Sequence, residues 1–409
     1  VAAKILRGLR TFAVKFRQSI KKDIIALTTP NPARGFTVYE VYIMNTGFLG
    51  GLIFVLVFAG MILVHELGHF IAARLLRIEV EEFGIGFPPR ILTLFTWKGT
   101  KFSLNWIPLG GFNRIKGEDD PSVPGGMAAA NPWKRIVVLL AGPTMNLLTA
   151  VLAYTLLFYQ VGVPNTHTVV IAEVSPGSPA EMAGIQAGDT VLTAAGESMD
   201  NVARLQAIIR AHLDQPINLT LQRGDQQVET SVTPLSSRTK MQGAVGVLLG
   251  NPLQPTNNWF ETVPTSFQAT YATVRELLAL PGQIVAGAIQ PQEAQLAGPR
   301  SIWNLFQQSV SRDVESREAS AQDADQRPTN YTLLTIISLT ISLGVLNLLP
   351  IPALDGGRIL FTLPEIIVRR RIPPQFEAIV HGIGLMVLMS LLGYFYILDF
   401  IHPVTINLP

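Results

Sequence analysis

"MILVHELGHFIAA", Met61 to Ala73, closes an apolar run that starts near Phe48, and its reading decides what kind of fold this chain has. The run is long enough for a helix crossing most of a bilayer, at about 1.5 Å per residue against roughly 30 Å of hydrocarbon. On such a helix His65 and His69 are four apart, stack on one face and can reach one ion, while Glu66 is angled beside it. Two metal-binding imidazoles and a carboxylate that takes a proton from metal-activated water are the parts of hydrolytic zinc chemistry. The plain alternative is a chance five-residue match with two core histidines. Three ionisable side chains at the end of an apolar helix disfavour chance, because each costs on the order of 2–3 kcal/mol unless paired or solvated.

The rest of the chain agrees with a membrane class: of 409 residues, 48% are hydrophobic and 15% charged, and mean hydropathy is positive. Four segments, about 48–73, 136–163, 332–354 and 378–401, are long enough, or nearly so, to span. The expected architecture is an α-helical polytopic membrane protein with four transmembrane helices. A net charge of +2, with no interleaving of aromatic and basic residues, gives no nucleic-acid surface. The absence of cysteine excludes thiolate ligands, so a metal must be held by nitrogen and oxygen.

Orientation follows from where Lys and Arg gather. Nine lie between spans one and two, from Arg74 to Arg135, and Arg369, Arg370 and Arg371 lie between spans three and four. Both connections are expected to be cytoplasmic, leaving 164–331 and the C-terminal tail outside. Residues 1–47 disagree with this, because the basic "KILRGLRTFAVKFRQSIKK" resists translocation. A true start at Met44, a surface-lying basic helix, or an inverted or additional entry of the chain would each reconcile it. No cleavage site follows a short apolar core, so it is a poor signal peptide.

After span one, within about 83–113, Leu92, Leu94 and Thr96 alternate with their neighbours, Lys98-Gly99 turns, and Phe102, Leu104 and Trp106 alternate again. This predicts a membrane-associated β-hairpin, over 91–107 at least. It packs on the membrane face of its own protein, or offers an edge to an unwound peptide, and the two are compatible. Residues 165–250 predict a compact α/β unit. It resembles a PDZ domain in Ser178-Pro179-Ala180, Ala183-Gly184-Ile185 and the run Ala187 to Leu192, "AGDTVL". That resemblance implies either a peptide groove or a size filter over an entrance. Across 251–331, Phe267, Tyr271, Val274 and Leu278 share a helical face, predicting an amphipathic helix, and "SREASAQDADQRPT" predicts a mobile polar linker. Residues 332–409 carry the last two spans.

A catalytic zinc takes three protein ligands and leaves a position for water. His167, His212 and His402 lie in outer or tail segments, and His381 sits in span four without a helix break. Asp355 is the better third ligand: in "NLLPIPALDGGRI", Pro350, Pro352, Gly356 and Gly357 interrupt an apolar helix. Broken backbone at membrane depth is tolerated only against protein or a watered cavity.

"HELGH" in span one and Asn347, Pro350, Leu354, Asp355 and Gly356 in span three resemble the site-2 protease family, zinc metalloproteases of the peptidase M50 type that cut within or beside transmembrane helices. "AGPTMN", with Gly142, Pro143 and Asn146, and the hairpin opening "GIGFPPR" are similar to that family too. Four spans around one PDZ unit resemble its bacterial sigma-factor-regulating branch, although some members of that branch carry two. The resemblance covers about 48–401. It implies a bacterial inner-membrane metalloendopeptidase with a Zn²⁺ cofactor, the metal ligands His65, His69 and Asp355, and the general base Glu66. Asn347, and Asn146 from span two, would then hold substrate backbone or an oxyanion, with an interhelical hydrogen bond as the alternative for each.

The expected activity is regulated intramembrane proteolysis, with the PDZ unit outside and the active site toward the cytoplasmic side. A substrate helix enters between the spans, unwinds, and pairs with the hairpin edge. Partners are then membrane-spanning proteins and the bilayer, with an anti-sigma factor, a remnant signal peptide and a membrane-tethered transcription factor all open. The rivals are a catalytically silent membrane scaffold and a metal transporter. A transporter needs neither Glu66 nor a peptide-binding domain, and a silent scaffold would lack a ligand or the base.

Overall fold

The computed structural model of the protein describes residues 38–236, 243–256, 258–286, 298–322 and 330–401. The basic stretch before Val38, residues 323–329 of the polar linker and His402 lie outside these. From Val57 onward the chain forms one unit. Among the described residues four helices are long and apolar enough to cross a membrane: Gly51–Leu75, Pro132–Val161, Tyr331–Leu348 and Pro374–Ile401.

The first of these is the end of helix α1, Val38–Leu75. A long two-stranded antiparallel hairpin follows, β1 Val80–Trp97 and β2 Thr100–Ile115, turning at Lys98-Gly99 as predicted. Its base packs into a core with α1 and the next helix, through Phe70, Val80, Phe83, Ile115 and Leu139. Its tip exposes Leu92, Leu94, Phe95 and Trp97. Within the hairpin, buried Glu82 accepts from Nε and Nη2 of Arg90 at 2.9 and 2.5 Å and from Ser103 Oγ at 2.7 Å. Burial works to raise the Glu82 carboxyl, but these bonds and the charges of Arg90 and Arg114 outweigh it and hold it below the usual carboxylate range.

Helix α2, Pro132–Val161, starts where Asn131 accepts from Trp133 N and Pro132 takes the first position, which needs no N–H. It crosses α1 closely: a Cβ on Gly68 would lie 2.8 Å from the Ala141 carbonyl carbon. Its C-terminal half packs through Ala150 and Leu157 against Ile337, Ile341 and Val345 of a later helix.

The strand pair β3 Val163–Pro164 with β10 Leu253–Gln254 ties together the two ends of a soluble unit. In between lie β4 Val169–Val174, α3 Pro179–Met182, β5 Thr190–Ala194, β6 Glu197–Ser198, α4 Val202–Ala211, β7 Ile217–Arg223, β8 Gln226–Val232 and β9 Val247–Gly250. The sheet runs β8-β7-β5-β4-β9, antiparallel throughout, with β6 beside β5. Its alternating inward residues, among them Val169, Ile171, Val191 and Leu221, form a core with Leu205 of α4.

Helix α5, Trp259–Val285, covers the segment where the periodicity predicts an amphipathic helix, but the residues it buries are Thr262, Ser266 and Thr270 and not the predicted apolar face. Val274 joins the core between α2 and the third candidate span, while Phe267, Tyr271 and Leu278 are exposed. The next helix, α6 Pro299–Gln322, corrects the expectation of a mobile linker from Ser316 to Gln322. Tertiary contacts anchor the part of this helix that precedes Ser316, and the polar stretch continues it. Asp399 accepts from Arg300 N, Ser301 N and Ser301 Oγ at the start of α6. Further along, Ser309 bonds Thr335, and Asp313 accepts from Tyr331 N and Thr332 N. These tie α6 to α7, Tyr331–Leu348, whose end differs from the expected span, because helix stops at Leu348 and not near residue 354. A new helix, α8 Asp355–Ile367, follows, and then α9 Pro374–Ile401.

In the soluble unit, Nε and Nη2 of Arg223 donate to the two carboxylate oxygens of buried Asp189 at 2.7 Å each, and Gln186 N adds a third bond. Arg223 therefore holds the Asp189 carboxyl below the usual aspartate range. A depressed native value means that the ionised form stabilises the fold above the ordinary value and loses that effect as pH falls through the native one. Asp189→Asn is expected to weaken the unit by about 1–2 kcal/mol at neutral pH, allowing for solvent around Arg223. Hydrogen exchange at β5 and β7 amides should show this, with the difference from wild type closing as pH drops below 3.8.

Candidate metal centre

Helix periodicity puts His65 and His69 on the buried side of α1, and both are nearly enclosed. Their Nε2 atoms lie 3.1 Å apart, with Oδ2 of Asp355 at 3.1 Å from one and 3.4 Å from the other. Ligands at about 2.0–2.1 Å from a tetrahedral zinc are separated by about 3.3–3.4 Å, so the three atoms sit at the edge lengths of one face of a coordination tetrahedron. Oδ2 of Asp355 is also buried without a directed hydrogen bond. Donor type, spacing and that unsatisfied oxygen all fit a metal ion.

The break after α7 delivers Asp355. Pro350 and Pro352 cannot donate to a helix, and Ala353 takes a left-handed φ of 79°. Short turns, Ile351 N to Leu349 O and Leu354 N to Ile351 O, fold the loop back on itself. Only glycine fits the return. A Cβ on Gly356 would strike the carbonyl oxygens of Leu348 and Leu349, and one on Gly357 that of Ile351. Asp355 then opens α8, one turn before Arg358, which pairs with Glu118 at 2.8 Å and Asp119 at 3.3 Å. Burial pushes the Glu118 carboxyl above the usual range, against the pull of Arg358. At the far end of α8, Arg135 of α2 pairs with Glu365 at 2.6 Å.

The second ring nitrogens are engaged as well. His69 Nδ1 donates to the Val138 carbonyl at 2.7 Å, which leaves Nε2 its lone pair. His65 Nδ1 is 3.3 Å from the amide nitrogen of Asn146, a fully buried side chain whose Oδ1 has no partner. Turning that amide over presents Oδ1 to an Nδ1–H and satisfies both groups. Glu66 is half-buried, within reach of the charges of His69 and Asp355, and makes no hydrogen bond or ion pair among the described residues. Asn347 is also half-buried without a hydrogen bond among them.

So the structure gathers His65, His69, Asp355 and Asn146 around one point, with Glu66 in electrostatic reach, and leaves the Asn347 amide unengaged. His167 and His212 belong to the soluble unit. The sequence singles out Gly142 in "AGPTMN" only as part of the resemblance, and its place against the imidazoles is visible only in the fold. A Cβ there would come within 2.6 Å of His69 Cε1 and 2.9 Å of His65 Cε1, and closer still to His69 Nε2.

Comparison with known proteins supplies an independent line. Residues 53–391 match Peptidase family M50. A protein of Clostridium perfringens named "Putative zinc metalloprotease" is 32% identical over 85% of this chain and 98% of its own length. Proteins with the same descriptive name from Campylobacter jejuni and Agrobacterium fabrum are 30% and 28% identical over 83% and 85% of this chain, and 89% and 95% of their own lengths. A solved PDZ domain of an SdrC-like protein from Listeria monocytogenes aligns over 20% of this chain and 85% of its own, with 17% identity and a TM-score of 0.18.

Gly142→Ala should raise helix propensity by up to about 1 kcal/mol and yet displace the imidazole pair. The expected result is a helical protein that has lost most of its bound metal, read by circular dichroism together with metal analysis. Full metal content in that variant would show that the close approach of α2 does not shape the site.

Proposed function

The chain belongs to peptidase family M50, and from that membership and its metal centre we propose that it is a zinc metalloprotease that hydrolyses peptide bonds within or beside transmembrane segments. The observation that carries this reading is the convergence of His65, His69 and Asp355 ligand atoms at a helix break, beside Glu66, which makes no hydrogen bond or ion pair among the described residues. Zn²⁺ held by those three residues would polarise a carbonyl and acidify water.

Glu66 accepts the proton of the attacking water and returns it to the leaving amine. Asn146 accepts from His65 Nδ1–H, fixing that ring with its Nε2 lone pair toward the ion, as Val138 does for His69. The Asn347 amide is free to hold substrate backbone or an oxyanion. Gly110 and Gly111 of β2 lie so near α1 that a Cβ on either would meet Ile62 or Leu63 at 2.8–3.0 Å. The hairpin thus runs past the turn that carries His65, where a strand unwound from a substrate helix can add to its edge.

The four candidate spans cross the bacterial inner membrane in this reading, with the apolar hairpin tip in contact with lipid. The basic connections face the cytoplasm, and the PDZ-like unit lies outside, admitting trimmed substrates or holding an extended peptide. Substrates are membrane-spanning proteins with helix-weakening residues near the cut, such as an anti-sigma factor or a remnant signal peptide.

The test is cleavage of a membrane-helix reporter by purified protein. Glu66→Gln should keep its zinc and lose about 10²–10⁴-fold in rate, whereas normal cutting by the zinc-loaded variant would remove Glu66 from the mechanism. Asn146→Leu should bind zinc about 10–100-fold more weakly. Asn347→Leu should leave zinc affinity unchanged and impair turnover of the reporter.

A further inference from the structure

Helix α9 touches the metal loop through one polar side chain that the sequence reading set aside. His381 Nδ1 accepts the backbone N–H of Ala353 at 2.8 Å. One turn on, Gly384 faces Pro352, where a Cβ would lie 3.1 Å from the Pro352 carbonyl carbon and closer still to its Cβ. Two successive loop residues are thus pressed against two successive turns of α9, and Asp355 follows two positions later.

The direction of this bond is settled by its partners. A backbone N–H only donates, so Nδ1 must carry the lone pair and Nε2 the proton. Among the described residues Nε2 has no hydrogen-bond partner, and it is 3.9 Å from a Glu377 carboxylate oxygen. His381 borders a cavity of about 160 Å³ that Glu118, Asp119 and Arg358 also line. The Phe361 ring of α8 lies 5.3 Å from the imidazole between centroids.

Ala353 is where such an acceptor matters. It is a non-glycine residue at φ 79°, a conformation that L side chains rarely adopt unless the surroundings impose it. Its N–H has no acceptor within the loop, whose short turns use Leu349, Ile351 and Leu354. Asp355 has one carboxylate oxygen to place against two imidazoles, so a small rotation of the loop at Ala353 moves that oxygen away from the point the two imidazoles share.

We propose that His381 is a positioning residue for the metal centre: by accepting the Ala353 N–H from α9 it locks the left-handed turn that aims Asp355 at His65 and His69. This rests on the metalloprotease reading above, in that Asp355 is taken as a ligand. It also gives the fourth span a part in the chemistry although it contributes no ligand.

The test compares zinc affinities of the full-length protein in detergent, by competition with a chelating indicator, for wild type, Asp355→Asn, His381→Phe and His381→Asn. Phenylalanine keeps a ring and removes the acceptor, whereas the asparagine amide oxygen falls near the place of Nδ1. The expected result is zinc binding about 10–100-fold weaker in His381→Phe, the range for groups that orient a ligand, and restored to within about threefold in His381→Asn. Metal-free melting temperatures should not track this pattern, since a purely structural role would lower both variants alike. Wild-type affinity in a folded His381→Phe, or an asparagine variant as weak as phenylalanine, overturns the proposal. If His381→Phe does not fold, the asparagine variant alone decides it. Wild-type zinc binding that is insensitive to Asp355→Asn would instead overturn the ligand assignment beneath it.

Discussion

The structure depends on bringing one carboxylate oxygen of Asp355 to two imidazoles that α1 holds one turn apart. A regular α7 could not do this: its side chains would point along its own faces, and its backbone would carry no reversal. Six residues, 349–354, leave the helix so that α8 can begin at Asp355. Each departure from helix frees backbone groups that hydrocarbon cannot satisfy. The remedy is local and tight, with turns inside the loop, prolines that have no N–H to lose, and glycines that let the chain pass against its own carbonyls.

That loop can be enclosed only if its neighbours approach closely, and the helices do so where side chains vanish. Gly68 lets α1 meet the Ala141 carbonyl, Gly142 leaves room for the imidazoles, and a Cβ on Gly344 of α7 would sit 3.2 Å from the Pro143 carbonyl oxygen. Between apolar helices in lipid, such contacts replace the hydrophobic drive that water supplies elsewhere. The ion pairs Arg135–Glu365 and Arg358–Glu118 then hold α8 at both ends from outside the packed seam.

Much of this was legible from the sequence where a pattern had one physical meaning. Four apolar runs, the Lys98-Gly99 turn between alternating residues, and His65 and His69 at helical spacing each specify their structure locally. The break at Pro350 and Pro352 announced itself because proline cannot continue a helix. What was not legible depended on partners distant in sequence. The polar run from Ser316 continues a helix whose earlier residues, Ser309 and Asp313, are bonded to α7. Asn146 carries an amide fit for substrate or for an imidazole, and only the fold sets it 3.3 Å from His65. His381 was judged as a ligand and passed over. Its role as an acceptor for a strained backbone N–H leaves no mark in spacing or composition.

The charged groups around α8 bear on where water reaches such a site. One turn of this helix carries Asp355 inward and Arg358 outward, so the ligand and the ion pair with Glu118 are mechanically one piece. Glu118 is buried enough for its carboxyl to be pushed up, yet it borders the cavity that Arg358 and His381 share. A polar cavity of that size has room and partners for ordered water. It adjoins the basic connections through Glu118 and Arg371, while Val138, Gly142 and Asn146 of α2 lie against the two imidazoles. Hydrolysis at membrane depth needs water from one direction and substrate from another. The hairpin strand runs past α1, and the charged flank at α8 carries the polar cavity from which the proposed hydrolysis would draw its water.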